Sequence, residues 1–307
     1  MSSKASIWVP ATIGNLGPGF DILGAAIEGP GDVITVELID GDYDEVASVT
    51  GKDADLIPRD PKNNCAVIAA LSLLNKIRSA KRVKVSIHRE LPVSGGLGSS
   101  AAASVGGALA ALHAAGVEAT KEQLLAAALD GEEAVSGKHL DNIAPGLLGG
   151  VTLVYGVTPP KVCRLPLKGD WWICVATPDI QLSTKKARHV LPSLVSQQDF
   201  VQQMAYTGGL ITALIQGDHG LARETMIDIY AEPRRAHLIN GFSNAKKAAL
   251  DAGAVGCSIS GAGPSIFALC GDAETAQKVG QQMIDSLAPI KASFRAGKIA
   301  ERGAHPV

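Results

Sequence analysis

Pro92-Val-Ser-Gly-Gly-Leu-Gly-Ser-Ser-Ala-Ala102 decides how this chain is read. Upstream, Lys81 to His88 alternates Val83, Val85 and Ile87 with Arg82, Lys84 and Ser86, the pattern of a half-buried strand. Downstream, small residues from Ser99 to about Ala115 predict a helix. Gly95, Gly96 and Gly98 allow backbone angles closed to other residues and let amide N–H groups turn inward. Ser99 and Ser100 stand where hydroxyls cap the free N–H groups of a helix start. Such a terminus carries about half a positive charge and attracts phosphate. A tight turn into a helix would need less glycine and serine than this, so the run reads as a phosphate loop. It is not a Walker A loop: Lys52, Lys138 and Lys298 follow glycines but precede Asp, His and Ile. Nor does a G-x-G-x-x-G dinucleotide fingerprint occur, which argues against an oxidoreductase of that type.

Working outward, residues 5–9 and 32–39 read as strands flanking a second Gly-rich loop, Gly14 to Gly19. Val67, Leu71 and Leu74 predict a helix over 64–80. Thr120-Lys-Glu-Gln123 is a capping box opening a helix to about Val135. Residues 150–155 read as a strand, and Pro159, Pro160 and Pro166 mark a crossing between domains. A second unit begins at Trp172–Ala176, with helices near 197–216, 218–229 and 240–252. Strands at 254–259 and 265–270 and a helix near 273–286 follow. The irregular alternation predicts an α+β fold in two domains, 1–157 and 158–307.

The balance of 46% apolar and 19% charged residues is that of a folded, globular chain. A net charge of −2 and only 4% aromatic residues speak against nucleic acid as the main partner. Five cysteines without a C-x-x-C pair read as reduced thiols, not a disulfide framework or zinc site. The opening Met1 to Pro10 lacks the apolar core of a secretory signal, and Ala101 to Val117 falls short of a membrane span. The expectation is a cytoplasmic enzyme with no membrane partner.

Three motifs resemble those of the GHMP kinases, a superfamily named for galactokinase, homoserine kinase, mevalonate kinase and phosphomevalonate kinase. They are the loop at 92–102, the stretch Pro10-Ala-Thr-Ile-Gly-Asn-Leu-Gly-Pro-Gly-Phe-Asp-Ile-Leu-Gly24 and the stretch Gly256-Cys-Ser-Ile-Ser-Gly-Ala-Gly-Pro-Ser265, in the order the superfamily has them. Asn15 to Gly24 and His139-Leu-Asp-Asn-Ile-Ala-Pro145 are most similar to the homoserine kinase branch. Ile13-Gly14 departs from the small or hydroxylated residues usual there. The resemblance implies a ribosomal protein S5 domain 2-like N-terminal half and a ferredoxin-like C-terminal half. It also implies ATP and Mg2+ as cofactors, homoserine as the acceptor, and a homodimer as a common assembly. Mevalonate-type and diphosphocytidyl-methylerythritol kinases, or a non-catalytic ATP-binding regulator, stand as alternatives.

Magnesium on ATP needs a carboxylate aimed into a cleft. On the 120–135 helix, Glu132 falls on the face of Leu125, Ala128 and Leu129, and the adjoining Gly131 points to a close approach. The resemblance makes Glu132 a metal ligand partnered by Ser99. It places ATP against Asn64, Pro92, Gly95, Gly96, Leu97, Gly98, Ser99 and Ser100, with Asn64 near adenine. An amino-acid acceptor needs acids for its ammonium and a guanidinium fork for its carboxylate. By resemblance those groups are Asn15, Asp21, His139, Asp141, Asn142, Thr184, Arg188 and Arg235, with Arg188 and Arg235 on the carboxylate. Gly261, in the third motif, would bring backbone close to the acceptor, although a hairpin turn alone explains that run. Among the side chains Asp21 is the candidate to take the hydroxyl proton, with the γ-phosphate itself or water as the alternative acceptors.

Overall fold

The computed structural model describes residues 3–307; Met1 and Ser2, the first two residues of the stretch read as carrying no secretory signal, lie outside the described residues. Two antiparallel-dominated sheets organise the chain. The first is built by β1 (Lys4–Gly14), β2 (Leu23–Ile39), β3 (Glu45–Gly51) and β4 (Arg82–Arg89). Three helices cover it: α1 (Cys65–Lys76), α2 (Ser99–Ala115) and α3 (Lys121–Glu133). After α4 (Ile143–Leu148), the strands β5 (Val151–Gly156) and β6 (Lys161–Arg164) extend the same sheet. Val154 pairs with Val162 and Gly156 with Lys161, so Pro159 and Pro160 sit in a hairpin and not in a crossing between domains. The passage to the second sheet comes later, over 165–171, and the expected division at 157/158 therefore does not follow sheet membership.

The second sheet begins with β7 (Trp172–Pro178), followed by α5 (Thr184–His189), α6 (Gln197–Gln216), α7 (His219–Thr225), α8 (Glu232–Arg235) and α9 (Phe242–Asp251). Then come β8 (Gly256–Ile259), β9 (Ile266–Cys270), α10 (Ala273–Ser286), β10 (Ala292–Lys298) and finally β11 (His305–Pro306), which returns to pair with β1. The sheet order β10-β7-β9-β8 is the ferredoxin-like arrangement that the sequence resemblance implies.

Strand periodicity separates two cores. On β7, Cys174 and Ala176 face α9 and α10, whereas Ile173 and Val175 join the first core. On β9, Phe267 and Leu269 do the same, beside Leu210 and Leu214 of α6. One apolar body therefore runs under both sheets and holds them as walls of one cleft. Cys174, Cys257 and Cys270 are buried and, like Cys65 and Cys163, free. Burial pushes the Cys174 and Cys270 thiols up to about 12, the state of inert structural cysteines.

Helix α2 is buried on nearly every face, which only small residues allow between a sheet and two helices. A Cβ on Gly107 would lie 2.1 Å from the Ala66 carbonyl oxygen of α1, and one on Gly131 2.6 Å from that of Cys65. The close approach expected at Gly131 is thus to α1. Helix α7 stops at Thr225, short of the expected 229, because Asp228 accepts from the amides of Tyr230, Ala231 and Glu232 and starts a new turn. Among the described residues no helix is long and apolar enough to cross a membrane.

Gly107→Ala should destabilise the fold by about 1–3 kcal/mol, outweighing the ~1 kcal/mol that alanine adds to helix propensity. A lowered urea midpoint with an unchanged m-value checks this.

Candidate active site

A cleft of about 370 Å³ lies between the two sheets. Its floor is the loop between β4 and α2. Ser94, Gly96 and Gly98 have positive φ (54°, 78° and 67°), and a Cβ on Gly98 would strike Thr12 Oγ1. The loop carbonyls are tied away from the cleft. Leu97 O accepts from the Thr12 amide at 3.1 Å, Gly96 O from the Ser260 hydroxyl, and Gly95 O from the amide and hydroxyl of Ser265. Thr12 belongs to the first motif, and Ser260 and Ser265 to the third. The third motif is a β8–β9 hairpin turn that also latches the loop.

The first helical bond of α2 runs from the Ala102 amide to Gly98 O, and Gly98 supplies no side-chain cap. The amides of Ser99, Ser100 and Ala101 are then those that a helix leaves without an internal acceptor. The two serines do not cap, contrary to expectation. Ser99 Oγ accepts from Arg89 Nη2 at 2.6 Å, and Ser100 Oγ donates to Glu132 Oε1 at 2.8 Å. Successive helical residues diverge by about 100°, so one serine faces α3 and the other faces β4. The serine in contact with Glu132 is therefore Ser100, where the expected metal partner was Ser99. Gly95, Gly96, Gly98, Ser99, Ser100 and Asn64 line the cleft. Leu97 turns its side chain into the core, and Pro92 packs behind Gly95. Asn64 Oδ1 caps α1 through the Ala66 and Val67 amides, and Nδ2 donates to Pro58 O, so most of its bonding is internal.

Glu132 is buried, and its Oε2 has no hydrogen-bond partner. Burial pushes this carboxyl up to about 7, against the bonds from Ser100 and Ser136. An unpartnered buried carboxylate oxygen beside a hydroxyl suits a hard divalent cation. Among the described residues no group of three or more His, Cys, Asp or Glu side chains could hold a metal ion. A cation at Glu132 would thus draw its remaining ligands from water and from phosphate.

The other end of the cleft gathers residues from all parts of the chain. Asn15 (φ 68°) and Asp21 (φ 58°) lie in the loop between β1 and β2. Asn15 Oδ1 accepts from the Asp21 amide, and its Nδ2 donates to Gly261 O. The Asn15 amide donates to Asp141 Oδ2 at 3.1 Å. A Cβ on Gly14 would lie 2.3 Å from Asp141 Oδ2, so the departure at Ile13-Gly14 makes room for that acid, while Ile13 fills the core. Arg188 of α5 donates to both Asp21 oxygens, at 3.1 and 2.6 Å, and His139 Nδ1 stands 3.6 Å from Asp21. Arg235 of α8 is buried, with Nε on Ala187 O and Nη1 on Gly261 O. Asn142 accepts from Thr12, and Thr184 opens α5; both line the cleft.

Burial, then the Asp21 charge, pushes the Asp141 carboxyl up to about 7. Burial lowers the His139 imidazole against the pull of Asp21, and burial and then Arg188 lower the Arg235 guanidinium. Among the cleft residues that escaped the sequence reading is Arg89, buried, bonded to Leu91 O and Ser99, and 4.0 Å from the buried Asp32. Its signal was parity. Arg89 continues the inward series Val83, Val85, Ile87.

Glu132→Gln tests the buried acid. Its folded-state value stands above the ordinary 4.5, so the wild type loses stability as pH rises from about 4.5 to 7. The variant's advantage in urea should grow over that window, by up to about 3 kcal/mol.

The family models "GHMP kinases N terminal domain" and "GHMP kinases C terminal" match residues 64–150 and 210–288. The homoserine kinase of Pyrococcus abyssi is 38% identical, with 95% of this chain and 96% of that protein covered. That of Arabidopsis thaliana is 38% identical, over 91% of this chain and 77% of the plant protein. The crystal structure of homoserine kinase from Cytophaga hutchinsonii superposes with a TM-score of 0.94 at 36% identity, covering 100% of this chain and 98% of that one. L. major mevalonate kinase, at 15% identity and a TM-score of 0.69, shares the fold. In sequence along nearly its whole length, and in fold, the chain belongs to the homoserine kinase family of the GHMP kinases.

Proposed function

We propose that the protein transfers the γ-phosphoryl group of ATP to the side-chain hydroxyl of L-homoserine, giving O-phospho-L-homoserine. The observation that carries this reading is a single cleft with two kinds of recognition. One end offers uncapped α2 amides to phosphate, and the other sets acids and guanidiniums against a zwitterion. Mevalonate has no ammonium and would leave Asp21 and Asp141 poorly matched. A cytoplasmic setting belongs to the same reading.

Phosphoryl transfer depends on placement and charge compensation more than on covalent chemistry by the protein. The amides at the start of α2 would receive the phosphate oxygens. Leu56, Ile57, Pro58, Ile87 and Val93 make an apolar end of the cleft suited to the base. Glu132 and Ser100 would hold magnesium, which when bound neutralises phosphate charge. Arg188 and Arg235 would take the acceptor carboxylate, while Asp21 and Asp141 face its ammonium. Binding a zwitterion replaces the internal Asp21–Arg188 pair with one ion pair from each residue to the ligand. With Asp21 engaged by the ammonium in this reading, a γ-phosphate oxygen or water takes the hydroxyl proton in its place.

An assay coupled to ADP release, with MgATP and a panel of homoserine, serine, threonine and mevalonate, tests the function. Turnover should favour homoserine; preferential turnover of mevalonate would overturn the reading. Glu132→Ala should lower kcat by at least about 1000-fold, as expected when a charge-compensating group is lost. Arg235→Leu should raise the homoserine KM by about 100-fold, with the KM for MgATP little changed.

A further inference from the structure

Phe20 does not line the cleft, yet both acceptor guanidiniums rest on its ring. The Arg188 guanidinium carbon lies 5.4 Å from the ring centroid and that of Arg235 5.3 Å. The ring has an aromatic neighbour. Tyr230 meets it edge-on at 5.0 Å, with interplanar angle 77°. Two positions upstream, Pro18 O accepts from Gln203 Nε2 at 2.8 Å and from Thr207 Oγ1 at 2.9 Å, both on α6. Gln203 also donates to Asp228 Oδ1 and accepts from the Ile229 amide. One amide side chain thus ties the Phe20 loop to the segment that launches α8 and Arg235.

Two like charges on adjacent elements repel, and each has a different tether. Arg188 depends on Asp21, whereas Arg235 has two carbonyl oxygens and no carboxylate. When the acceptor ammonium competes for Asp21, Arg188 loses part of its hold. The negative face of the ring is then the fixed contact that both cations keep. We infer that Phe20 is a positioning residue that sets the spacing of Arg188 and Arg235, and through them selects an acceptor bearing a carboxylate. This rests on the proposed role of the two arginines.

The test compares homoserine with 3-aminopropan-1-ol, which keeps the hydroxyl and ammonium and lacks the carboxylate. Phe20→Leu preserves apolar bulk without a π face, and Phe20→Tyr preserves the face. In Phe20→Leu the homoserine KM should rise about 10-fold while kcat, the MgATP KM and kcat/KM for 3-aminopropan-1-ol stay within about twofold. Phe20→Tyr should stay near wild type for both acceptors. Should Phe20→Leu fail to fold, Phe20→Met carries the same expectation. An unchanged homoserine KM in the leucine variant, an equal loss on both acceptors, or an equal loss in the tyrosine variant would overturn the inference. The parent reading fails separately and earlier: wild-type enzyme that does not prefer homoserine over 3-aminopropan-1-ol would dismiss the carboxylate role of the arginines.

Discussion

The cleft depends on where three carbonyl groups point. Gly95, Gly96 and Leu97 would present negative oxygens to any anion above the loop, were those oxygens not drawn aside by Ser265, Ser260 and Thr12. The donors come from a strand more than eighty positions earlier and a hairpin more than a hundred and sixty later. The phosphate site proposed at α2 is therefore a property of the assembled molecule. No isolated peptide with the loop's sequence would hold that geometry, since its backbone would turn either way at each glycine.

Burying ionisable groups opposes folding, and this cleft buries several. Glu132 and Asp141 are each raised toward neutrality of pH, and Arg235 is packed among backbone carbonyls. The surrounding apolar body offsets that cost. It runs continuously from the α1–α2–α3 layer to Phe267 and Leu269 of the second sheet. The same continuity keeps the two walls in register, so that α5 and α8 can deliver arginines opposite a loop of the first sheet.

Much of this architecture was legible in the residues. Long periodic segments, such as α6 and α10, fall where their patterns place them. The cleft residues quoted from three motifs converge on one site because each motif carries turn-forming glycines next to polar groups. Short elements escaped: α4, α5 and α8 span six residues or fewer and form through tertiary contacts. Pro159 and Pro160 read as a crossing because proline marks any sharp turn, and only pairing partners distinguish a hairpin from a link. Ser99 and Ser100 were indistinguishable in sequence. Their division of labour follows from helical phase against neighbours that the sequence does not name.

The pairing of Trp8 with His305 and of Ile7 with Pro306 carries a further consequence. A ribosome releases β1 long before it makes β11, the neighbour that pairs with Ile7 and Trp8. Until then these two residues, on the outer edge of β1, lack those partners and leave that stretch of edge open to other chains. Nascent molecules are thus most prone to sticking together in the interval before the final strand arrives, and slow elongation through the second half would lengthen that exposure.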